Sequence, residues 1–224
     1  MSSFFALSSR NRRNHSGLFM PFAAAVLMLL AATAAHAQFG APPTTPVHDG
    51  SALKPPPGAR VAIIEFEDLE CPDCARANPL LKDATDKYHI PWVRHDFPLP
   101  MHNWSFQAAV NARYFDTKSQ ALGNEYRDSV FASQISIETP DQLRQFTQKF
   151  ADAHKVVLPW AVDPMGKLTQ AVKADFALGQ KIGIEHTPTI WVVTNAAHTA
   201  PFVEVVDRSK LYQIIDEALA ETRR

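Results

Sequence analysis

The sequence has only two cysteines and eight glycines among 224 residues, and no run of basic residues beyond the Arg10–Arg13 region. Its 22 basic and 23 acidic residues nearly balance, which argues against a nucleic-acid-binding protein held by its overall field. It lacks a phosphate-cradling glycine loop, a Gly-x-Ser-x-Gly elbow, a His-Glu-x-x-His motif and internal repeats. These absences give no support for a nucleotide-binding enzyme, a serine hydrolase, a zinc protease or a repeat protein. At 46% hydrophobic residues, the chain is long enough for one domain with a proper core.

The first 37 residues have the pattern of a targeting segment. Arginines at positions 10, 12 and 13 form a basic start without acidic residues, and the run Leu18–Ala34 is nearly all apolar. Ala35-His36-Ala37 then fits the small-x-small cleavage rule of a signal peptide. Because the apolar run is close to membrane-spanning length, an uncleaved anchor is the alternative. We expect cleavage after Ala37 and export to the bacterial periplasm or cell envelope, where a disulfide can persist.

The pattern of the remaining chain predicts an α/β fold. Residues 38–59 are rich in proline and small residues, which indicates a flexible or extended lead-in. Strands are expected at 60–67, 90–97, 187–194 and 202–206, helices at 72–88 and after Asp207, and a helical block at about 103–183. The order β-α-β, helical block, β-β-α indicates one domain over residues 60–222, split by a helical insertion.

Two sites in the helical block carry helix start signals. Thr139 is followed by a proline and an aspartate, which together provide an N-cap, a rigid first turn and a favourable charge on the helix dipole. Asp163 also precedes a proline, so a further helix is expected from there to Gly183, which should end it. Trp160, just before that start, is expected in the core.

The stretch EFEDLECPDCARANP holds both cysteines, Cys71 and Cys74, separated by Pro72 and Asp73. A structural zinc site needs about four Cys or His ligands, usually from two close pairs, and only one cysteine pair is present. An inert disulfide closing so short a loop would remove little chain entropy and stabilise only weakly. The third alternative, a redox centre, fits the chemistry best.

The predicted helix explains how such a centre would work. Cys71 falls at the helix N-terminus, where unpaired N–H groups and the macrodipole favour an anion and hence the nucleophilic thiolate. Cys74 follows one turn later, close enough to resolve a mixed disulfide. Pro72 fixes the first turn without removing a needed hydrogen-bond donor.

Cys-Pro-x-Cys between a strand and a helix, followed by a helical insertion and by Thr-Pro opening a strand, resembles the DsbA-like thiol-disulfide oxidoreductases of the thioredoxin superfamily. The resemblance covers most of residues 58–222 and implies a thioredoxin fold. It also implies that Pro188 is a cis-proline lying against the cysteines and that Thr187 offers its backbone to a substrate strand. Glu65 matches a buried acid that many members carry, and would accept a proton from Cys74.

Two departures from the family bear on redox strength. Strongly oxidising members have a histidine between the cysteines, whereas this chain has Asp73, and their residue before the cis-proline is often valine rather than Thr187. Three further acids, Glu67, Asp68 and Glu70, are expected to be solvated near the strand end. Because negative charges disfavour a thiolate, we expect the acidic flank to raise the pKa of Cys71 relative to those members.

The sequence therefore predicts an exported thiol-disulfide oxidoreductase that exchanges disulfides with cysteine-containing envelope proteins and is regenerated by a membrane partner. The direction of exchange stays open. No cofactor, metal or nucleic acid is expected, and a monomer is favoured. The alternative is a non-enzymatic thioredoxin-fold module that binds an extended peptide near Pro188 and uses the Cys71–Cys74 bridge only for stability.

Overall fold

Helices and strands follow one another in the predicted order. The computed structural model describes residues 44–196 and 200–222. Its elements are β1 (Val61–Glu67), α1 (Pro72–Tyr88), β2 (Trp92–Asp96), α2 (Ser105–Asp116), α3 (Gln120–Ser133), α4 (Pro140–Ala153), α5 (Lys167–Ile182), β3 (Thr189–Thr194), β4 (Phe202–Glu204) and α6 (Leu211–Glu221). Short 3-10 turns at Gln134–Ser136 and Arg208–Lys210 precede the loop to α4 and helix α6. The α/β fold class is confirmed.

The four strands form one mixed sheet in the order β2-β1-β3-β4. Strand β1 pairs in parallel with β2 and antiparallel with β3. In the pairing with β2, Glu65 lies opposite Arg94. Strands β3 and β4 form the predicted antiparallel hairpin, with Val192 opposite Val203. This arrangement brings the end of β1, which leads to the cysteines, beside the start of β3, which follows the Thr187-Pro188 step.

Strand β1 lies at the centre of the sheet and all seven of its residues are buried. Val61 and Ile63 pack towards α1 and α6, whereas Ile64 and Phe66 pack towards α5 on the other face. Each such apolar side chain contributes about 1.5–3 kcal/mol when it is fully buried. Burial on both faces holds the end of β1, and therefore the loop to the cysteines, in a fixed position.

The helical block forms a second core beside the sheet. Four aromatic side chains pack together there, in the same cluster as the two cysteines. They are Trp104 just before α2, Phe115 on α2, Tyr126 on α3 and Phe150 on α4. Helix α5 differs from the other three because its residues also cover one face of the sheet. Trp160 lies in the loop before α5 and is fully exposed, so its expected place in the core is wrong.

The helix ends follow their capping residues with one exception. Thr139 makes a complete capping box with Gln142 at the start of α4, as the sequence indicates. Helix α5 begins at Lys167 rather than at Pro164, because Gly166 turns with a φ of 68° and forms its N-cap. Asp163 still serves this start, since its carboxylate accepts hydrogen bonds from the backbone N–H groups of Leu168 and Thr169. Gly183, with a φ of 107°, ends α5 as predicted.

Residues 44–59 contain no helix or strand, but they are attached to the domain. Leu53 is 1% exposed, the N–H of His48 donates to the Ile182 carbonyl at 2.8 Å, and the N–H and hydroxyl of Thr45 donate to Glu204. This packing argues against a flexible tether over these residues. The predicted signal segment 1–37, its cleavage after Ala37 and residues 38–43 lie outside the described residues. Within the part that is described, no helix is long and apolar enough to cross a membrane.

Candidate active site

The two cysteines lie at the start of α1, just after the loop that connects it to β1. Cys71 is the N-cap of α1 in extended backbone geometry, and Pro72 occupies the first helical turn. The N–H of Cys71 donates to the Asp68 carbonyl at 3.0 Å, which fixes the tight connection from the strand. Both cysteines are free thiols in the structure. The geometry therefore places Cys71 at the positive end of the helix, as the sequence indicates.

The two thiols differ sharply in acidity. Cys71 is 6% exposed, and its pKa is lowered from 9.0 to about 5. The main cause is a hydrogen bond from the Cys74 thiol, supported by the Thr187 side chain and by the backbone N–H groups of Cys74 and Asp73, while burial acts in the opposite direction. At pH 7 a thiol with a pKa of about 5 is roughly 99% ionised, so the sulfur of Cys71 is a thiolate under neutral conditions.

Cys74 behaves in the opposite way. It is completely buried, and burial raises its pKa well above 9.0, with further contributions from its hydrogen bond to Cys71 and from the charges of Glu65 and Cys71. The backbone N–H of Asp68 approaches its sulfur at 3.5 Å. A neutral, inaccessible thiol beside a partly accessible thiolate is the pairing that an attacking and a resolving cysteine require.

The segment before β3 closes over Cys71 from a distant part of the chain. The Thr187-Pro188 peptide bond is cis, and the Cys71 thiol donates to the Thr187 carbonyl at 3.3 Å. Thr187 is 8% exposed, and its hydroxyl has no hydrogen-bond partner among the described residues. A buried hydroxyl with no partner is free to donate to the sulfur once the thiol ionises, in agreement with the effect of this side chain on the pKa of Cys71.

Glu65 is 1% exposed, so its burial agrees with the expectation. The indole N–H of Trp92 donates to Oε2 at 3.0 Å, while Oε1 is buried without a partner in the described part of the chain. Burial, followed by the charge of Glu67, raises the pKa of Glu65 well above 4.5, although Arg94 and Trp92 oppose the shift. A raised pKa makes the carboxylate of Glu65 a stronger base than an exposed glutamate.

The expectation that the three acids are solvated is wrong for Glu67 and Asp68, whereas Glu70 is half-buried. Glu67 and Asp68 are each 1% exposed. Arg94 holds Glu67 with three hydrogen bonds of 2.7 to 3.1 Å. Asp68 is held by His102 at 2.7 Å and by the N–H of Leu99 at 2.6 Å.

Glu70 also has a structural role. Its carboxylate accepts the N–H groups of Trp104 and Ser105 at the start of α2, at 2.7 and 3.0 Å. These acids tie the cysteine loop to its surroundings, and their charges are balanced by cations or by hydrogen-bond donors. This balance is one reason why the acidic flank does not prevent the low pKa of Cys71.

Three contacts at the site are not evident from local sequence. Arg208 reaches Asp73 from the turn before α6, Trp92 reaches Glu65 from β2, and the Gln134 amide donates to the Leu69 and Cys71 carbonyls at 2.9 and 3.1 Å. Each partner is at least 27 positions away along the chain, so no motif could have indicated it. In the residues that the structure describes, no group of His, Cys, Asp and Glu is arranged to hold a metal ion.

Comparison with known proteins identifies the fold and the family. A family model described as thioredoxin matches residues 56–208. α-DsbA1 from Wolbachia pipientis has 18% sequence identity and a TM-score of 0.61, covering 76% of this chain and 91% of that chain. The thiol-disulfide exchange protein α-DsbA2 from the same organism has 15% identity and a TM-score of 0.58, covering 73% and 84%.

Oxidised BdbD from Bacillus subtilis has 18% identity and a TM-score of 0.57, covering 81% of this chain and 98% of that chain. No curated protein matches the sequence. The fold is thus the DsbA-like form of the thioredoxin fold, in which helices are inserted between the two halves of the sheet. The family match spans more than half of the chain, and the protein belongs to the thioredoxin family.

Proposed function

We propose that the protein is an exported thiol-disulfide oxidoreductase that exchanges disulfides with cysteine-containing proteins of the bacterial envelope. The observation that carries the proposal is the contrast between its two thiols. Cys71 has a pKa of about 5 at the N-terminus of α1, whereas Cys74 is completely buried and has a raised pKa. A bridge that served only for stability would need no such contrast, so the peptide-binding alternative leaves it unexplained.

The exchange proceeds in two displacements. A client thiolate attacks Sγ of Cys71 in the Cys71–Cys74 disulfide, the S–S bond breaks, and Cys74 leaves and takes up a proton. A second client thiolate attacks the client sulfur of this mixed disulfide and releases Cys71 as a thiolate. The client loses two electrons and two protons. The protein gains the two electrons and keeps one proton on Cys74, and the other proton passes to the solvent.

Regeneration reverses these roles on the protein. The Cys71 thiolate attacks a disulfide of a membrane partner, and Cys74 must then lose its proton to resolve the new mixed disulfide. Glu65 is the group that accepts this proton, since it is buried nearby and its raised pKa suits proton exchange. Thr187, which precedes Pro188 beside Cys71, offers backbone hydrogen bonds to an extended client segment.

The direction we propose is disulfide donation. A stable Cys71 thiolate stabilises the reduced protein, and stabilising the reduced form makes the disulfide a stronger oxidant. The name of the structurally similar α-DsbA2, a thiol-disulfide exchange protein, supports the same class of reaction. Export rests on residues 1–37, and an exported protein with this signal should begin at Gln38.

The test uses a reduced peptide with two cysteines and follows its oxidation by the protein. Wild-type protein should oxidise the peptide in the presence of glutathione disulfide. Cys71→Ser should abolish oxidation, whereas the matched variant Cys74→Ser should accumulate a mixed disulfide with the peptide, detectable by mass spectrometry. Full activity of Cys71→Ser would overturn the proposal and favour the peptide-binding module.

A further inference from the structure

Arg208 makes a two-point contact with the residue that separates the cysteines. One guanidinium nitrogen, Nη2, donates to Oδ1 of Asp73 at 2.7 Å, and the other, Nη1, donates to the Asp73 backbone carbonyl at 3.2 Å. Arg76, one turn along α1, donates to the same Oδ1 at 3.0 Å. The carboxylate of Asp73 is thus held between two cations, and its backbone is held by one of them.

The segment that carries Arg208 is itself fixed. Arg208 opens the 3-10 turn before α6, and Asp207 caps this turn by accepting the N–H and the hydroxyl of Ser209 at 3.0 and 2.7 Å. The side chains of Arg208 and Asp73 are 34% and 40% exposed, so their contact is partly shielded from water. A small cavity of about 130 Å³, lined by both residues and by His186 and Pro188, lies next to it.

The position of this ion pair matters because Asp73 belongs to the first turn of α1. An unpaired carboxylate there would oppose a negative charge on Cys71 and weaken the positive end of the helix. Burial alone would raise the pKa of Asp73, but the hydrogen bond and charge of Arg208, followed by those of Arg76, lower it. Asp73 is therefore ionised at neutral pH, and its charge, if it were not compensated, would disfavour the Cys71 thiolate.

The contact with the Asp73 carbonyl adds a geometric effect. The N–H groups of Asp73 and Cys74 are among the groups that stabilise the Cys71 thiolate. By holding the peptide unit between these two residues, Arg208 fixes the direction of the turn that presents them. Arg76 has no recorded contact with this carbonyl, and its side chain is more exposed, at 67%.

We propose that Arg208 is a positioning residue of the redox centre, which neutralises Asp73 and fixes the first turn of α1 and thereby favours the thiolate form of Cys71. The inference rests on the proposed function. Other titratable groups near the cysteine pair are Glu65 on β1, whose charge acts on Cys74, Glu70 in the preceding loop, and His186, which lines the cavity beside Asp73. Glu70 is held by the N-terminus of α2.

The test is a double-mutant cycle read by thiolate absorbance at 240 nm during pH titration of the reduced protein. Arg208→Gln should raise the midpoint of Cys71 by about one pH unit, because Asp73 loses its strongest counter-charge. Because the reduced protein is then less stable, its disulfide should become a weaker oxidant. The equilibrium constant for its reduction by glutathione should fall about tenfold, which equals about 30 mV. Arg208→Lys keeps the charge, so its midpoint should lie between those of the wild type and Arg208→Gln.

The cycle separates charge compensation from general damage. In the Asp73→Asn background, Arg208→Gln should move the midpoint by less than a third of its effect in the wild type, because no carboxylate remains to be neutralised. Arg76→Gln is the matched control and should produce a smaller shift. An unchanged midpoint in Arg208→Gln, or an equal shift in both backgrounds, would overturn the inference.

The outcome also distinguishes this inference from the proposed function. If the wild-type protein lacks a low midpoint and does not oxidise the peptide, the proposed function fails. If the wild type has both properties and Arg208→Gln retains the same midpoint, only the role of Arg208 fails. Thermal unfolding followed by circular dichroism checks that each variant is folded, and Arg208→Lys with Asp73→Asn carries the test if Arg208→Gln does not fold.

Discussion

The indole N–H of Trp92 donates a 3.0 Å hydrogen bond to one carboxylate oxygen of Glu65, and the other oxygen is buried without a partner among the described residues. A buried carboxyl group normally has all its oxygens satisfied, because an unpaired polar atom costs about 1–3 kcal/mol. Under the proposed function, the unpartnered oxygen is the one that would exchange a proton with Cys74. Trp92 holds the group in position and leaves that oxygen free.

Replacing Glu65 by Gln should slow the attack of Cys74 on a mixed disulfide by about 100-fold, because a general base is lost. The alkylation rate of Cys71 at pH 7 should change much less, since the main supports of its thiolate are the Cys74 thiol, Thr187 and local N–H groups. Rapid-mixing measurements of mixed-disulfide resolution and of iodoacetamide reaction separate the two steps. Resolution at the wild-type rate in this variant would show that Glu65 is not the base.

Replacing Trp92 by Phe tests the other half of this contact. The hydrogen bond from Trp92 lowers the pKa of Glu65, so its removal should raise that pKa further. The pH midpoint for mixed-disulfide resolution should therefore move upwards, by less than about one unit for a single hydrogen bond. Trp160→Phe is the matched control, because Trp160 is fully exposed and should leave the profile unchanged. A downward shift in Trp92→Phe would contradict the assignment.

The acidity of Cys71 links redox state to stability. Its pKa falls from 9.0 to about 5 on folding, so the folded thiolate form contributes stability that is fully present above pH 9 and is lost as the pH falls through about 5. The disulfide form has no such titration. As the pH rises from 5 to 9, the unfolding free energy of the reduced protein should therefore increase relative to that of the oxidised protein, by up to about 1.4 kcal/mol per pH unit.

Urea unfolding of both redox forms across this pH range measures that difference directly. Above pH 9 the gain should reverse, because the raised pKa of Cys74 means that its folded thiol resists an ionisation that the unfolded chain undergoes. Groups common to both forms cancel in the comparison. A difference that is constant from pH 5 to pH 9 would mean that the Cys71 thiolate is not stabilised by the fold.

Local patterns were sufficient to predict the fold and the position of Cys71 at the start of α1. The buried strand Val61–Glu67, the Cys-Pro start of α1 and the capping box at Thr139 are each determined by residues within a few positions of one another. The start of α5 was placed too early because Gly166, with its positive φ, overrides the Asp163-Pro164 signal. In that case two local signals compete, and the sequence alone does not decide between them.

The environment of the site could not be predicted in the same way. The sequence predicts solvated acids at Glu67 and Asp68 because they lie at the end of a strand. They are buried because Arg94 and His102, which lie about 30 positions further on, are brought next to them. From the sequence, Asp73 disfavours a thiolate, because nothing near it indicates the contact with Arg208, 135 positions away. Charge compensation across the fold leaves no periodic pattern in the sequence.

The most deeply buried cation makes a separate prediction about stability. The side chain of Arg127 is 1% exposed and donates to both oxygens of Asp116 at 2.8 and 2.9 Å, with Glu67 3.5 Å from its Nε. Arg127→Ala removes the cation that pairs with Asp116 and leaves Glu67 with Arg94 alone, which should cost about 3–5 kcal/mol of unfolding free energy. Urea denaturation of the oxidised protein measures the loss.

Arg144→Ala is the control, because Arg144 and Asp141 are both highly exposed and 3.6 Å apart, and its effect should stay within about 0.5 kcal/mol. Equal effects of the two substitutions would mean that the buried network does not hold the helical block to β1.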